Sequence, residues 1–391
     1  MDPLPLLQDL VSIPSVNPMG RDLSGPEYFE TRVTEYLCAF FERLKVPFET
    51  QEIAPGRMNV VARLDPPESD GAIVLDAHQD TVPVDGMTIP PFEPRLDGNR
   101  LYGRGSCDVK GGLAAMLAAF ARFAARPSAL RQSVVMCCTV DEEYQAHGVN
   151  RLVRSWSPEG SEEGCRFLRE RPVGAIVAEP TDLDLVVAHR GATRWKIVTH
   201  GRACHSSEPQ LGVNAIYRMS RIIGHLEEYA AALPGQKPAH PLCGPSTLSV
   251  GRIEGGQSVN IVPDRCEIEI DRRVIPGEDS YAVMDELRDY LKSKVDFEFE
   301  MLPPWIVGLA LGDGNNGPLA DSLLHTITSQ VGPRRKIGVP YGTNASRYSA
   351  AGVPSVVFGP GSIRQAHTKD EWVPVDELRQ ASNILESFLS R

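Results

Sequence analysis

Short apolar segments that alternate with helical segments constrain the fold of this chain most strongly. The apolar stretches from residue 58 onward are MNVVARL, AIVLDA, QSVVMCCTV, VGAIVAE and, much later, VPSVVFG. Helical segments such as GLAAMLAAFARFAA and VDELRQASNILESFL lie between or after them. Strands as continuously apolar as these are buried on both faces, which is typical of parallel sheets covered by helices. We therefore predict an α/β domain with a mostly parallel sheet and helices on both faces.

Residues 193–302 show a different order of elements. Strand-like and helix-like segments follow one another as β-α-β-β-α-β, which is the ferredoxin-like arrangement of a small domain. The stretch EIEIDRR alternates apolar and polar residues, as a strand with one exposed face requires. Because 391 residues are too many for one compact core, we predict two domains. A ferredoxin-like α+β domain at residues 183–303 is inserted into an α/β domain formed by residues 1–182 and 304–391.

The composition of the chain bears on its partners and its location. With 40 Lys and Arg against 51 Asp and Glu, the net charge of −11 argues against nucleic acid or an anionic membrane as the main partner. The apolar stretches are strand-sized or interrupted by charge, and the N-terminal stretch MDPLPLLQDL does not resemble a signal peptide. Eight scattered cysteines without a CxxC spacing indicate reduced thiols. We expect a cytoplasmic protein.

Side chains that bind metals follow the apolar strands at the point where each strand ends. His78 and Asp80 follow AIVLDA, and Asp108 lies in a loop just ahead of the helical segment GLAAMLAAF. The other acidic and imidazole side chains that follow strands are Asp141, Glu142, Glu143, Glu179 and His367. In an open α/β sheet the carboxyl ends of the parallel strands meet at one rim, where ligands bind. We therefore expect these side chains to converge.

The mixture of ligand types indicates the class of site. Two imidazoles and several carboxylates suit a pair of divalent metal ions such as zinc, with one carboxylate bridging both ions. Such pairs turn a shared water into a nucleophile near neutral pH. Asp80 is expected to accept the second ring N–H of His78 and to fix its tautomer. Each feature alone is usually an ordinary polar loop or helix cap, but their shared position at one rim favours the metal site.

Five motifs of this chain resemble those of the M20 metallopeptidase family. They are DAHQDTVPV, LYGRGSCDVKGG, DEE, AEPTD and QAHTKDEW, in this order and around an inserted domain. The resemblance implies two zinc ions, with cobalt able to substitute, and it implies that Asp108 bridges them. His78 and Glu179 would complete one metal site, and Glu143 and His367 would complete the other. Glu142 would be the general base that moves a proton from the water to the leaving amine.

The inserted domain carries further residues to which the resemblance gives roles. GRACHSSEPQLGVNAI resembles the lid segment of the family, in which a histidine, here His205, stabilises the oxyanion. The alternative is that His205 only caps the connection from strand to helix. Arg273 matches the family's D-x-R-x-x-P pattern, and its guanidinium suits a substrate carboxylate, although it could also be a solvated strand-end arginine. Asn260 is a further candidate for substrate binding.

The resemblance also implies an assembly and a substrate class. In the family the lid domains pair two subunits, so we expect a homodimer in which the lid histidine serves the neighbouring site. In the large domain, Thr343 and Asn344 of the stretch YGTNASRY are candidates for the substrate pocket. The implied activity is removal of an acyl group from an N-acyl amino acid, and the stretches FGPGSIRQAHTKDEW and HSSEPQLGVNAI look most like those of acetylornithine deacetylases.

Other activities of the same family remain open alternatives. Succinyl-diaminopimelate desuccinylases, aminoacylases, carboxypeptidases and dipeptidases share the same metal-binding and base residues. A binding protein that has kept the fold and lost catalysis is a different class of alternative, and the intact Glu142 argues against it.

Overall fold

The structure is a computed structural model that describes residues 1–157 and 164–390. Within it the chain forms two compact units. The larger unit comprises Met1–Val187, Asp313–Ile337 and Thr343–Arg391, and the smaller unit comprises Ala188–Gly312 with Gly338–Gly342.

The helices and strands have the following bounds in the described residues. The helices are α1 (Pro3–Ser12), α2 (Thr31–Leu44), α3 (Lys110–Ala124), α4 (His147–Leu152), α5 (Ala215–Gln236), α6 (Val283–Lys292), α7 (Gly317–Val331), α8 (Ala345–Ala350) and α9 (Val375–Leu389). The strands are β1 (Phe48–Ala54), β2 (Arg57–Leu64), β3 (Ala72–His78), β4 (Arg95–Asp97), β5 (Arg100–Tyr102), β6 (Ser133–Thr139), β7 (Gly174–Val177), β8 (Leu185–His189), β9 (Gly191–His200), β10 (Thr247–Gly255), β11 (Arg265–Val274), β12 (Phe299–Met301), β13 (Ile306–Gly308), β14 (Lys336–Val339), β15 (Ser355–Val357) and β16 (Trp372–Pro374).

The larger unit is built on an eight-stranded sheet with the order β1-β2-β6-β3-β7-β15-β8-β14. Its four central strands, β6, β3, β7 and β15, are parallel to one another, and β2 and β8 flank them in antiparallel orientation. This confirms the predicted α/β class with a parallel sheet at its centre. The central strands β3, β6 and β7 are buried along their whole length, as their continuous apolar sequences predict.

Helices cover both faces of this sheet, as the alternation along β3 shows. Ile73 and Leu75 point into the main hydrophobic core, which they share with residues of α1, α2, α3 and α9. Asp76 points to the opposite face, where the side chain of Asn344, at the N-terminus of α8, donates to it. Successive side chains of a strand face opposite sides of the sheet, so helices pack on each side.

Helix α3 forms the centre of the main core because its sequence is rich in small apolar residues. Twelve of its fifteen residues are buried, many of them alanines, which have the highest helix propensity and allow close packing. At Gly112, in the first turn of α3, a Cβ atom would lie 2.7 Å from the Cβ of Ala178, which follows β7. The glycine therefore lets the start of the helix approach the end of a central strand.

The smaller unit has the predicted ferredoxin-like arrangement. Its antiparallel strands have the order β10-β11-β9-β12, with α5 between β9 and β10 and α6 between β11 and β12. One face of this sheet packs on the two helices through a core that includes Trp195, Ile268 and Leu287. Along β11 the residues Glu267, Glu269, Asp271 and Arg273 alternate with buried residues and share the other, charged face. This agrees with the period of two in the sequence.

The observed boundaries differ slightly from the predicted ones, for two physical reasons. The smaller unit begins at Ala188 rather than at residue 183, because the first three residues of β8, a strand of the large sheet, belong to the larger unit. It continues to Gly312 rather than to residue 303, because β13 pairs with β9. The sequence also gave no indication of the three-stranded sheet β16-β5-β4, whose strands have three residues each. Among the described residues no helix has the length and apolar character needed to cross a membrane.

Candidate metal centre

The carboxyl ends of the central parallel strands bring the predicted ligands to one rim of the large sheet. His78 is the last residue of β3, and Glu179 lies just beyond the end of β7. Glu142 and Glu143 occupy the turn after β6. The loop after β15 supplies His367. Because these strands run parallel and are neighbours in the sheet, their ends open on the same side, as predicted.

Asp108 lies at the centre of the cluster and contacts both histidines. Its Oδ1 is 3.2 Å from Nε2 of His78, and its Oδ2 is 3.2 Å from Nε2 of His367. Nε2 of His367 is also 3.4 Å from Oε2 of Glu143. These contacts define two groups of potential metal ligands. The first consists of His78, Asp108 and Glu179, and the second of Asp108, Glu143 and His367. Within each group the ligand atoms lie within 4.8 Å of one another. Asp108 is the member that the groups share.

Two residues of the rim have backbone conformations that are uncommon for residues other than glycine. Asp141, just before the two glutamates, has φ of 65°, and His367 has φ of 60°. Non-glycine residues in the left-handed region carry a steric cost, and such residues concentrate at functional sites where the surrounding structure holds them. At Asp141 this conformation turns the chain sharply after β6, where Glu142 and Glu143 follow.

Asp80 does not make the contact that the sequence predicted for its carboxylate. Nδ1 of His78 lies 2.8 Å from the backbone carbonyl oxygen of Asp80, whereas its distance to the carboxylate Oδ1 is 3.6 Å. The carbonyl therefore orients the imidazole. The carboxylate instead accepts the backbone N–H groups of Glu142 and Glu143, each at 3.1 Å. Asp80 thus supports two neighbouring parts of the rim, one with its carbonyl and one with its carboxylate.

A buried polar network, which the sequence did not reveal, supports the turn after β6. The side-chain amide of Asn17 donates to Asp80 at 2.9 Å and to Asp141 at 3.0 Å. Arg57 donates to Asp141 at 3.0 Å and forms an ion pair with the buried Glu30 at 2.5 Å. These contacts neutralise part of the charge of Asp141 and hold the turn after β6 in place. The stretch SIPSVNPMG gave no signal for Asn17 beyond its loop-like composition.

A second supporting residue absent from the sequence prediction is Glu371. It belongs to the motif QAHTKDEW, and its fully buried carboxylate accepts hydrogen bonds from the loop that ends at Asp108. The fully buried Lys110, which follows that loop, donates to the backbone carbonyls of Leu10 at 2.9 Å and Ile13 at 2.6 Å. The loop that carries Asp108 is therefore anchored on both sides.

The electrostatics of the rim reflect this crowding of ionisable groups. Hydrogen bonds to Asp108 and Glu143 raise the pKa of His367 to about 11. Burial acts to raise the pKa of Asp108, but hydrogen bonds from His367 and His78 outweigh it and hold the pKa below its usual range. The shared carboxylate is therefore an anion that attracts cationic partners on both sides.

The carboxylates around Asp108 have pKa values shifted in the opposite direction. Burial raises the pKa of Glu142 to about 8; His78 opposes the shift, and the charges of Glu143 and Asp108 add to it. Burial also raises the pKa of Glu179 well above its usual range, and repulsion from Asp108 and Glu142 acts in the same direction. A dense group of buried carboxylates is costly unless cations compensate it.

The predicted residues of the small domain lie in the smaller unit, where two of them are neighbours. The segments of His205 and Asn260 run side by side, with Ser206 N donating to the Asn260 carbonyl at 3.0 Å and a bridge between His205 and Ile261. His205 is exposed, and its Nδ1 lies 2.7 Å from the hydroxyl of Ser207. The structure therefore brings these two candidates together on the surface of that unit.

Arg273 lies on the charged face of the small sheet, as the period of two predicts. Its Nε donates to Oδ1 of Asp271 at 2.6 Å, and Arg194 donates to Oδ2 of the same carboxylate at 2.7 Å. The guanidinium is half-buried. Its neighbour Arg272 is fully buried and pairs with Glu278. The side chain of Arg272 is therefore closed to solvent, whereas that of Arg273 is partly accessible.

Thr343 and Asn344 are buried in the larger unit. The side-chain amide of Asn344 donates to Asp76 and to the hydroxyl of Thr139, each at 3.1 Å. The hydroxyl of Thr343 accepts the backbone N–H of Ala345 at 3.1 Å. Asn344 therefore holds the start of α8 on the sheet, and Thr343 caps the first turn of this helix. The role of both residues toward a substrate stays a prediction.

The fold and the rim together define a class of protein. An α/β sheet with two overlapping groups of imidazole and carboxylate ligands at its carboxyl rim is typical of metal-dependent hydrolases. The sequence profile of Peptidase family M20/M25/M40 matches residues 74–391. The chain belongs to this peptidase family, which confirms the resemblance seen in its motifs.

Similar proteins support the same assignment. An acetylornithine deacetylase of Myxococcus xanthus is 30% identical over 319 residues, covering 80% of this chain and 78% of that protein. An acetylornithine deacetylase of Photorhabdus laumondii is 29% identical over 399 residues, covering 98% of this chain and 95% of that protein. The crystal structure of an M20 family metallo-carboxypeptidase from Sulfolobus solfataricus has a TM-score of 0.78 at 19% identity and covers 100% of this chain and 99% of its own.

The activity class follows from family membership together with these relatives. The chain is a hydrolase that acts on amide bonds, and its family is metal-dependent. The structural likeness at 19% identity shows the fold alone.

Proposed function

We propose that this protein is a two-metal amidohydrolase that removes the acyl group from an N-acyl amino acid, with N-acetylornithine as its substrate. The observation that carries the proposal is the position of Asp108, with one carboxylate oxygen 3.2 Å from His78 and the other 3.2 Å from His367. A carboxylate between two imidazoles, each with a further carboxylate nearby, is the ligand set that a bridged pair of divalent ions requires.

The donor atoms of the rim fit metal ions better than they fit one another. Oε1 of Glu143 is buried and has no hydrogen-bond partner among the described residues. Buried carboxylate oxygens without a partner are costly, and a cation would satisfy this one. We assign His78, Asp108 and Glu179 to one ion and Asp108, Glu143 and His367 to the other, with zinc as the proposed metal and cobalt as a substitute.

Glu142 is the proposed general base. When bound, the two ions would supply an activated water and polarise the amide carbonyl. Glu143 belongs to a ligand group with Asp108 and His367, whereas Glu142 belongs to neither group formed by the described residues. Glu142 is therefore the glutamate that is free to accept a proton from the attacking water and deliver it to the leaving nitrogen. The contact of its backbone N–H with Asp80 holds its segment in place.

The remaining roles concern the substrate and are assigned to both units. Arg273 would bind the substrate α-carboxylate through its guanidinium, and His205 would stabilise the oxyanion. Asn260, beside His205, would contribute a polar contact, and Thr343 and Asn344 would line the pocket of the larger unit. The relatives named acetylornithine deacetylase favour an acetyl group and an ornithine side chain.

We also propose a homodimer formed through the smaller unit, in a cytoplasmic protein. Strand β10 is the end strand of the small sheet, and most of its residues are exposed. Ile253 on this strand is 55% exposed, and Tyr217 on α5 is 67% exposed. An exposed edge strand with apolar side chains is a template for pairing with another chain. The cysteines of the chain are free thiols, which fits a reducing compartment.

One experiment tests the proposed activity directly. The purified protein is assayed for bound metal and for hydrolysis of N-acetylornithine, other N-acetyl amino acids, N-succinyl-diaminopimelate and a dipeptide. We expect close to two divalent ions per chain and the highest kcat/KM with N-acetylornithine. The variant Glu142→Gln, purified in the same way, controls for contaminating hydrolases. A preference for N-succinyl-diaminopimelate or for the dipeptide would contradict the proposed substrate, and metal binding without any hydrolysis would contradict the activity.

A further inference from the structure

The carboxylate of Glu371 makes four hydrogen bonds to the segment that ends at Asp108. Its Oε2 accepts from Nη1 of Arg104 at 2.7 Å and from the backbone N–H of Gly105 at 2.9 Å. Its Oε1 accepts from the backbone N–H groups of Cys107 and Asp108, each at 2.9 Å. The carboxylate is completely buried, and both of its oxygens have two donors. One side chain therefore contacts four of the five consecutive residues from Arg104 to Asp108.

Burial of the Glu371 carboxylate costs too much free energy for this side chain to serve only to fill space. A buried carboxylate loses its hydration and is stable only when it is paired and hydrogen-bonded. An apolar side chain of the same volume would fill the space, but it would remove the acceptor of three backbone N–H groups and of the buried Arg104 guanidinium. What the carboxylate adds is a defined shape for the loop, because its two oxygens gather three backbone N–H groups that point to one position.

Glu371 is also tied to the segment that carries His367. Only three residues separate the two, and Glu371 directly precedes strand β16, which pairs with β5. The backbone carbonyl of Glu371 accepts the N–H of Gly103 at 3.0 Å, and the carbonyl of Lys369 accepts the N–H of Thr88 at 2.8 Å. The segment of His367 and the loop of Asp108 are thus joined to each other through Glu371.

We infer that Glu371 is a positioning residue for the metal centre. Its side chain holds the loop of Asp108 against the segment of His367, so that the Asp108 carboxylate stays between His78 and His367. This inference rests on the metal site proposed above. Because Asp108 belongs to both ligand groups, loss of this support weakens both metal-binding steps. Residues that orient metal ligands without contacting the metal themselves typically change the metal affinity ~10–100-fold.

The variant Glu371→Gln tests the inference with little change of shape. In this variant an amide NH₂ replaces one carboxylate oxygen. The NH₂ cannot accept from the two donors that it faces, so two hydrogen bonds are lost and N–H groups point at one another. We expect both dissociation constants for zinc, measured by competition with a chromophoric chelator, to rise ~10–100-fold relative to the wild type. The matched control is Glu278→Gln, a buried carboxylate of the smaller unit that accepts from Arg272 and from the N–H of Ile275.

The outcomes separate positioning from simple stabilisation. A structural role alone would lower the melting temperature of both variants and leave the zinc affinity of the folded protein unchanged, which would overturn the inference. Glu371→Asp decides the question if Glu371→Gln does not fold, because it keeps the negative charge beside Arg104 and draws the carboxylate back by one methylene from the N–H groups of Cys107 and Asp108. We expect it to bind zinc several-fold more weakly than the wild type, and wild-type affinity would overturn the inference. A wild-type chain that binds no pair of ions would instead contradict the proposed function.

Discussion

The side-chain amide of Asn17 donates to Oδ2 of Asp80 at 2.9 Å, although the two residues lie 63 positions apart in the sequence. The same carboxylate of Asp80 accepts the backbone N–H groups of Glu142 and Glu143. Asn17 therefore orients Asp80, and Asp80 in turn orients the proposed base and one proposed metal ligand. Asn17 also contacts Asp141, whose left-handed backbone begins the same turn.

Replacement of Asn17 is predicted to affect catalysis from outside the ligand groups. Asn17→Ala removes two hydrogen bonds to carboxylates, and we expect the free energy of unfolding to fall by about 2 kcal/mol. Because the turn of Glu142 loosens, kcat should fall ~10-fold or more with the metals still bound. The control is Asn316→Ala, a buried asparagine that donates to the carbonyls of Val187 and Ser355. A loss of stability in both variants with no loss of kcat in Asn17→Ala would contradict the prediction.

The two adjacent glutamates are predicted to respond differently to the same substitution. Glu142→Gln should retain the metals and the fold, and kcat should fall ~10²–10⁴-fold, because the amide cannot accept the proton of the water. Glu143→Gln should instead lose metal from the group that contains His367. Metal content by elemental analysis and kcat at saturating substrate check both variants. If Glu142→Gln loses metal while Glu143→Gln retains it, the two roles are reversed.

The proposed bridging role of Asp108 predicts a difference in metal stoichiometry. Asp108→Ala should lower the occupancy of both sites, because in the proposed centre the shared carboxylate would compensate the charge of two neighbouring cations. His78→Ala should weaken mainly the site that it shares with Glu179. Titration with zinc, followed by calorimetry, counts the remaining sites in each variant. Loss of a single site in both variants would show that Asp108 does not bridge.

The central sheet and the ligands at its rim could be predicted because the information is local. Continuous apolar strands indicate a parallel sheet, and the topology of such a sheet places His78, Glu143 and Glu179 at one edge whatever the details of the loops. His367 could be placed at the same edge because its loop follows the strand VPSVVFG, whereas its assignment to one metal site came from the family resemblance. The division of roles between Glu142 and Glu143 also came from the family pattern, and it remains a proposal.

The hydrogen bonds that support the rim could not be predicted from the sequence. They join residues that lie far apart in the chain and share no helical or strand periodicity. Glu371 binds backbone N–H groups 263 to 266 residues away, and any carboxylate or amide could in principle accept them. The contact of His78 with the carbonyl of Asp80, rather than with its carboxylate, depends on the turn after β3. The strands β4, β5 and β16 are too short for a pattern with a period of two to be recognised.

Recognition of the substrate α-carboxylate is predicted to depend on the guanidinium of Arg273. Arg273→Lys keeps the charge but loses the two-pronged contact, which is worth about 1.5–3 kcal/mol, so kcat/KM should fall roughly 10- to 100-fold. Amidation of the α-carboxylate should reduce kcat/KM of the wild type similarly and have little further effect on the variant. Arg194→Lys is the matched control, since Arg194 contacts the other oxygen of Asp271. Equal kcat/KM for amidated and free substrates in the wild type would remove Arg273 from the site.

The last prediction concerns His205 and the proposed homodimer. His205 lies in the smaller unit and the proposed metal ligands lie in the larger unit, and the family resemblance implies that each active site takes its lid histidine from the neighbouring subunit. The inactive variants His205→Ala and Glu142→Ala are therefore mixed under conditions that allow subunits to exchange. In a mixed dimer, the intact rim of the first variant receives His205 from the second, while the other site carries both defects. Random exchange makes about half of the dimers mixed, each with one working site of two, so roughly a quarter of the wild-type activity should return.

The control for this experiment mixes Glu142→Ala with Asp108→Ala, two variants with defects in the same unit. Every site of that mixed dimer has a damaged rim, so no activity should return although subunits exchange as before. Different affinity tags on the two chains show how many mixed dimers have formed. If His205 acts within its own subunit, the mixture of His205→Ala and Glu142→Ala contains no dimer with a complete site. Proven exchange without recovered activity would therefore refute the assignment of His205 to the neighbouring site.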